Sequence, residues 1–215
     1  VIDLGAKIMN WNWLGWLLWI AAIVFMIWVT HYIRVKQLML IAKTKRRFDK
    51  KLFARYVVLV VLAIGWLGGM AYLSFFRRVS YDDTQAVKIT TEYEALQLNS
   101  QDNDYYYVIA KHAQGGTRPI VSYTYWTDNA KMTTDARGTT IVDSDRLVTG
   151  QAAGYPWNMK KLKSYDSKTG HAFDAVMTIK YRNTVLNGMG VRCGKLADTH
   201  TLIRIPAANM VDQKK

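Results

Sequence analysis

Residues 11–30 form the stretch WNWLGWLLWIAAIVFMIWVT, twenty residues without an ionisable side chain. Asn12 and Thr30 are its only clearly polar members. An α-helix rises about 1.5 Å per residue, so about twenty residues match the roughly 30 Å hydrocarbon thickness of a bilayer. Uninterrupted apolar runs of this length are uncommon in small soluble domains. The stretch therefore predicts a transmembrane helix.

Residues 56–76 form a second uncharged run of similar length, YVVLVVLAIGWLGGMAYLSFF. We predict a short outer N-terminal segment at 1–10, spans at 11–33 and 56–76, a loop at 34–55, and one domain at 79–215. A cleaved signal peptide is the alternative for the first span. Its apolar core is longer than such signals use, it is rich in Trp, and no small-residue cleavage site follows. The sequence thus favours a span that stays in the protein.

Most of the net charge of +13 lies in the loop between the two runs, where nine basic residues face Asp49 alone. Lys and Arg in short loops are retained on the cytoplasmic side of a membrane. The pattern predicts a cytoplasmic loop, with the N-terminus and the C-terminal domain outside, although Arg77 and Arg78 flank the outer end. The loop offers membrane lipids a basic surface and lacks the reading elements of nucleic-acid binders. Its central cations are Lys43, Lys45, Arg46, Arg47, Lys50 and Lys51.

Aromatic residues mark the ends of both predicted spans, where amphipathic rings favour the membrane–water interface. The predicted interface residues are Trp11, Trp13, Trp28, Tyr32 and Tyr72. Trp13, Trp16 and Trp19 recur every third residue. This stripe fits either contact with lipid or packing on another membrane protein.

Small residues in the spans predict close helix packing. The second run carries Gly65, Gly68 and Gly69, including a Gly-x-x-x-Gly spacing, and the first run carries Gly15. Small residues let helix backbones approach within a membrane. The contact is equally well made inside the hairpin or with a partner subunit. Neither apolar run, 11–30 or 56–76, contains Asp, Glu, Lys, Arg or His, so we expect no ion pathway within this chain alone.

The predicted outer domain reads as β structure. Candidate strands are 87–98, 105–111, 120–127, 139–142, 146–149, 175–181 and 201–205, separated by turn-rich clusters. A helical period is suggested only around 92–97. We predict a membrane-anchored α+β protein: a two-helix transmembrane hairpin followed by a mostly antiparallel extracytoplasmic β domain, built as a sandwich or a partly open barrel.

Cys193 is the only cysteine, so the domain has no internal disulfide. That absence, together with the lack of an Asn-x-Ser/Thr acceptor site, favours a Gram-positive bacterial surface. A thiol enzyme is one alternative, in which Cys193 pairs with His112, His171 or His200 and with Arg192 or Arg204. An anchored outer β domain of that kind resembles sortases. The Gly-Met-Gly-Val-Arg-Cys-Gly context departs from their Thr-Leu-x-Thr-Cys motif, and a small packed residue is the commoner role.

Other chemical motifs are weak. The clusters 102–104 and 143–145 offer oxygen ligands but do not continue into a calcium loop. The four His share no metal-ligand spacing, and we predict no metal, no cofactor and no catalytic residue. Aromatic residues of the domain fit either its core or a platform for a cell-wall polymer. They are Tyr105, Tyr106, Tyr107, Tyr123, Tyr125, Trp126, Tyr155 and Trp157.

The run NWNWLGWLLWIAAIVFMIWV and the following Lys-Thr-Lys-Arg-Arg loop resemble small, uncharacterised two-span membrane proteins of lactic acid bacteria. The resemblance covers about the first fifty residues. It implies a bacterial cell-membrane location and supplies no activity, cofactor or site residue.

We therefore expect a non-catalytic accessory or structural subunit of a larger bacterial membrane complex. It would sit in the plasma membrane as a multi-pass protein and dock through its two spans, with the outer domain contacting a partner membrane protein or a second copy. The alternatives are an anchored envelope-binding module that uses the domain's aromatic residues, and the sortase-like thiol enzyme.

Overall fold

The computed structural model describes residues 10–45, 48–101, 104–112, 121–128, 130–144 and 146–214. They divide into two compact units. The helical unit comprises Val1–Ser80 with Tyr181–Lys195, and the sheet unit comprises Tyr81–Lys180 with Leu196–Lys215. The domain predicted at 79–215 is thus interrupted, because its residues Tyr181–Lys195 belong with the helices.

Two long helices form most of the helical unit. Helix α1 spans Asn12–Thr44 and helix α2 spans Lys50–Ala71, extended by one wide π turn at Tyr72–Phe76. Both are long and apolar enough, by length and composition, to cross a membrane. The helix α1 continues beyond residue 33 because nothing in 34–44 breaks it, and it ends where Lys45 adopts a left-handed conformation.

Asp49, the single acid among the cations of the turn, begins α2. Its side chain accepts hydrogen bonds from the backbone N–H groups of Lys51 and Leu52, at 2.8 and 3.3 Å. This is the N-cap that a helix start requires, because the first N–H groups have no partner within the helix. The one negative charge in the turn therefore has a structural role.

The buried residues of the two helices recur every seven positions. Ala22 and Val29 are buried on α1, while Tyr56, Ala63 and Met70 are buried on α2. A spacing of seven residues keeps one side of a helix toward its neighbour. The remaining apolar side chains of the pair lie largely exposed, including Ile20, Ile27 and Val61.

The described residues of the sheet unit form ten strands. The first sheet has the order β1-β8-β9-β7 and the second the order β10-β4-β5-β6, while β2 and β3 form a separate pair. The strands are β1 Val87–Ala95, β2 Asn99–Gln101, β3 Asp104–Tyr106, β4 Val108–His112, β5 Val121–Trp126, β6 Lys131–Asp135, β7 Thr139–Val142, β8 Phe173–Tyr181, β9 Leu196–Arg204 and β10 Val211–Lys214.

One core joins the two four-stranded sheets. Val108 and Tyr125 from the second sheet pack with Ile203 from the first, together with Leu96 and Ile205. Helix α3, Met159–Lys168, buries Leu162 and places Tyr165 against Phe173 of β8, with ring centroids 5.7 Å apart. The remaining helix, α4, is the short Val185–Met189 within the helical unit.

Four details of the predicted β domain differ from the structure. Two strand pairs are parallel, β7 with β9 and β10 with β4, so both sheets are mixed. The expected strand at 146–149 is irregular, and the expected helical turn at 92–97 lies largely in β1. The helix α3 was not predicted, because only one fully buried apolar residue, Leu162, marks its inner face.

Candidate functional site

Tyr181–Lys195, the connection between β8 and β9, covers the ends of the two long helices within the helical unit. Its closest approach is at Gly15, where a Cβ atom would overlap the Gly188 carbonyl oxygen and lie 2.7 Å from a methyl of Val191. A Cβ on Gly190 would lie 2.6 Å from the Leu73 carbonyl oxygen. We call this segment, with Asn12, Ser74 and Arg77, the polar cap.

Asn12 joins the start of α1 to the polar cap. Its side-chain amide donates to the Cys193 carbonyl at 3.0 Å, and its side-chain oxygen accepts from the Cys193 N–H at 2.9 Å. The Trp11 N–H donates to the Asn183 side chain at 2.9 Å. The first N–H groups of a helix have no partner within the helix, and this contact supplies one just before α1. The polar residue near the start of the first apolar run is therefore a docking residue.

Arg192 joins the other helix end. Its Nε donates to the Ser74 carbonyl at 2.8 Å, and one terminal nitrogen donates to the Arg77 carbonyl at 2.6 Å. The guanidinium also lies over the Tyr181 ring, 5.4 Å from its centroid. Carbonyls at a helix C-terminus lack internal partners and favour a nearby cation. Arg192 satisfies both requirements at the end of α2.

Arg77 takes part in the same network. Its guanidinium donates to the Asn187 side-chain oxygen at 3.3 Å, and the Asn187 amide donates to the Arg182 carbonyl at 3.0 Å. Asn187 is fully buried. This arrangement gives Arg77 a protein partner at the end of the second apolar run. By the charge pattern alone, a basic residue at this predicted outer end disagrees with the predicted orientation.

Cys193 lies inside the cap without the features of a nucleophile. It is buried, its thiol donates to the Thr184 carbonyl at 3.4 Å, and burial raises the pKa of that thiol. Reactive cysteines instead have lowered pKa values in exposed, electropositive surroundings. Of its predicted partners, Arg192 is committed to Ser74 and Arg77, His171 to Asp166, and His200 to Thr140. Nothing in this arrangement favours thiol catalysis.

The glycines predicted to pack helices fall into two groups. Gly15 is buried, and the three atoms nearest to a Cβ on it all belong to the polar cap. At Gly65, Gly68 and Gly69, a Cβ would meet no atom within 4 Å among the described residues. Packing of these three glycines inside the hairpin is therefore not seen, and contact with another chain stays a prediction.

Of the predicted interface aromatics, Trp11 and Trp13 lie at the start of α1, Trp28 and Tyr32 lie near its middle, and Tyr72 lies at the end of α2. Trp11 and Trp13 stack with centroids 6.5 Å apart, and Trp28 and Tyr32 stack at 5.4 Å. Tyr72 is exposed in the π turn. Lys43 lies in the last turn of α1, Lys45 caps it, and Lys50 and Lys51 begin α2. Arg46 and Arg47 lie outside the described residues.

The aromatic residues considered as a binding platform mostly serve the core of the sheet unit. Tyr106, Tyr125 and Trp157 are buried. Tyr107, Tyr123, Trp126 and Tyr155 are half-buried, and only Tyr105 of this set is exposed. The set does not present one continuous aromatic surface.

A partly buried polar cluster of the sheet unit was not predicted. Tyr81 and Tyr155 donate to one oxygen of Asp198 at 2.7 and 2.8 Å, and Tyr155 stacks on His200 with centroids 4.4 Å apart. Burial alone raises the pKa of Asp198, but these hydrogen bonds hold it below its usual value. Burial lowers the pKa of His200, whose Nε2 lies 3.0 Å from the Thr140 hydroxyl. The cluster ties β7 and β9 to the segment before β1.

Asp174 is a second buried polar group in the sheet unit. It is almost fully buried, and burial raises the pKa of its carboxyl to about 6. The Tyr125 hydroxyl lowers that pKa in part, and burial near Asp174 raises the pKa of Tyr125 itself. Period-2 patterns cannot flag such residues, because an acid on a strand is normally read as facing solvent.

Among the residues that the structure describes, ion pairing and metal binding indicate no further site. Asp166 accepts from Arg204 Nε at 3.2 Å and contacts His171 Nδ1 at 2.9 Å, which ties α3 to β9. Arg204 also donates to the Ser144 carbonyl. Within the described part of the chain, no group of three or more His, Cys, Asp or Glu is placed to hold a metal. Asp102, Asn103 and Asp145 of the two oxygen-rich clusters lie outside that part.

Comparison with known proteins gives one result. A family model described as “:-like” matches residues 10–212, which covers most of both units. No curated protein and no solved structure matches the chain.

Proposed function

The chain belongs to the “:-like” family, and we propose that it is a membrane-anchored accessory protein without catalytic chemistry of its own. Its two helices span a bacterial plasma membrane, and the N-terminus and the sheet unit lie outside. The helices dock on a larger membrane protein or on a second copy of this chain, and the sheet unit contacts that partner at the surface.

The distribution of polar groups in the helical unit carries the proposal. Side chains such as Ile20, Ile27, Val61 and Ile64 are each about 60% exposed, so the middle of the helix pair presents an apolar surface. Contiguous apolar surface of this extent on a soluble monomer is rare. The polar cap holds one end of the pair, and the basic turn with Lys43 to Arg55 holds the other. This arrangement fits a bilayer around the middle section.

The same distribution supports the orientation. Asn12, Ser74 and Tyr181–Lys195 share contacts, so they lie on one side of any membrane that the helices cross. The basic turn is at the opposite end, and such turns stay in the cytoplasm. The cap and the strands that continue from it are then outside.

The open glycine face of α2 supports an accessory role. Gly65, Gly68 and Gly69 are exposed, and a Cβ on any of them would meet no described atom within 4 Å. Small residues at such a surface permit close approach of another helix. We assign this face to a helix of the partner.

Partner docking is tested by purification in mild detergent from native membranes, comparing wild type with Gly69→Leu and the matched control Val61→Leu. Wild type and Val61→Leu should co-purify with the same partner or as the same oligomer, and Gly69→Leu should lose it. A wild-type protein that is monomeric and alone in this preparation contradicts the accessory role.

Orientation is tested with single cysteines in a Cys193→Ala background. A membrane-impermeant maleimide should label Lys168→Cys in intact cells and label Lys51→Cys only in opened cells. The reverse pattern would overturn the orientation, and labelling of both in intact cells would overturn the span assignment.

A further inference from the structure

We propose that the groove between α1 and α2 next to the basic turn binds one anionic phospholipid. Its apolar part would hold an acyl chain, and its cationic end would hold the phosphate headgroup. The inference rests on the proposed membrane location and adds to it a specific ligand and a specific site.

The groove has a volume of about 490 Å³, within the range of about 300–1,000 Å³ that is usual for small-ligand sites. Its lining comes from both helices: Trp28 and Tyr32 from α1, and Ala54, Arg55, Val58 and Leu59 from α2. Most of this lining is apolar, which suits a hydrocarbon chain. Val58 is 57% exposed, so the wall of the groove is open to an occupant.

Charge is placed at one end of the groove. Trp28, Tyr32 and Lys36 follow one face of α1 at four-residue spacing, with Lys36 nearest the turn. The Lys36 ammonium lies 5.7 Å from the centroid of the Tyr32 ring. Arg55 lies one turn inside the start of α2, while Val58 and Leu59 lie farther from the turn. The groove thus changes from apolar to cationic toward the turn.

This polarity selects the ligand class. In the proposed orientation, the cationic end reaches the cytoplasmic headgroup layer, and the apolar part faces the acyl region. An anionic phospholipid has the complementary order of groups, with its phosphate at the interface and its chain inward. Basic residues near an anionic membrane surface contribute about 1 kcal/mol each, which corresponds to about a fivefold effect on binding. A zwitterionic lipid gains less from Arg55 and Lys36.

The test uses the full-length protein, native mass spectrometry, and two lipids with identical chains, phosphatidylglycerol and phosphatidylcholine. Wild type should retain phosphatidylglycerol in preference to phosphatidylcholine. The variant Arg55→Gln should lower phosphatidylglycerol retention about fivefold and leave phosphatidylcholine unchanged. The variant Val58→Trp, which fills the groove, should lower retention of both lipids.

Two matched control variants test whether the effects on lipid retention come from this groove or from any exposed charge or apolar side chain. Arg78→Gln removes an exposed arginine at the other end of α2, and Val61→Trp enlarges an equally exposed apolar residue outside the lining. Neither should change lipid retention. Equal retention of the two lipids by wild type, or controls that act as strongly as Arg55→Gln and Val58→Trp, would overturn the inference. A structure of the purified protein with density for a protein helix in the groove would also overturn the inference.

Alkaline extraction of membranes distinguishes failure of the proposed lipid site from failure of the proposed membrane location. If the protein resists extraction and shows no lipid preference, the lipid site is wrong and the membrane location stands. If the protein is extracted as a peripheral protein, both are wrong.

Discussion

Asn12 and Cys193 are 181 residues apart in the chain and share two hydrogen bonds, at 3.0 and 2.9 Å. The side-chain amide of Asn12 hydrogen-bonds to both the N–H and the carbonyl of Cys193, as the backbone of a neighbouring β-strand does. A polar side chain near the start of an apolar helix thereby both donates and accepts a hydrogen bond. This pair fixes Tyr181–Lys195 to the first helix in a single register.

Replacing Asn12 with Leu should destabilise the helical unit by about 1–3 kcal/mol, because both backbone groups of Cys193 lose a partner. Thermal unfolding of the full chain in detergent measures the effect. Thr30→Val is the matched control, since the Thr30 hydroxyl bonds only to the Ile27 carbonyl of its own helix. Equal stability of Asn12→Leu and wild type would contradict the docking role of this residue.

Alanine at Gly15 and alanine at Gly65 should have opposite effects. At Gly15 the new methyl overlaps the Gly188 carbonyl, and overpacking of this kind costs about 1–3 kcal/mol. At Gly65 it meets open space, and the helix gains about 0.5–1 kcal/mol from the loss of glycine flexibility. Chemical unfolding of both variants in detergent measures the contrast. A destabilised Gly65→Ala would reveal a helix contact absent from the single chain.

The Cys193 thiol should react slowly in the folded protein. It is buried, and burial raises its pKa, so little thiolate is present at neutral pH. Labelling with a maleimide should accelerate by several orders of magnitude when the protein is unfolded. Lys168→Cys, on the exposed side of α3, provides a rapidly labelled control in the folded state. Fast native labelling of Cys193 would reopen the possibility of thiol chemistry.

Asp174 should make the sheet unit less stable as pH rises. Its folded pKa of about 6 lies above the ordinary 3.8, so the folded state binds the proton more tightly. Stability from this group is full below pH 3.8 and is lost as pH rises through about 6, by on the order of 3 kcal/mol. Asp174→Asn should remove this dependence and be relatively more stable at pH 8 than at pH 4.

The comparison must be made between variants, because His200 acts in the opposite direction. Burial lowers its pKa from 6.5, so its contribution declines as pH falls below that value. The difference between wild type and Asp174→Asn isolates the carboxyl. Asp143→Asn, at an exposed position, provides the matched Asp-to-Asn control.

The parts of the fold that the sequence predicts are those with a local signal. The apolar runs predicted α1 and α2, and β-branched residues predicted β7 at Thr139–Val142. The strand β6, Lys131–Asp135, has no buried residue, so no alternation marks it. The parallel pairs of β7 with β9 and β10 with β4 depend on distant partners, which a period in one strand does not identify.

The polar cap was missed for the same reason. From the sequence, residues 187–190 (Asn-Gly-Met-Gly) favour a turn, and Arg192 is a candidate only as a partner for the Cys193 thiol. Their true contacts, Arg77 and Ser74, lie more than a hundred residues away. One local hint existed, namely Asn12, an amide without an evident reason in an apolar run. An isolated amide side chain of this kind at a helix start indicates a hydrogen bond to a segment distant in the sequence.

The placement of Tyr181–Lys195 affects how a water-soluble fragment should be designed. Deleting residues 1–80 to express the strands alone would leave Arg192 without its carbonyl acceptors, and would uncover Gly188 and Gly190 where helix backbone had been. Both problems are removed if Tyr181–Lys195 is deleted together with the helices. Lys180 is then joined to Leu196 by a short glycine-containing turn. These two residues are already paired across β8 and β9, so the splice follows an existing register.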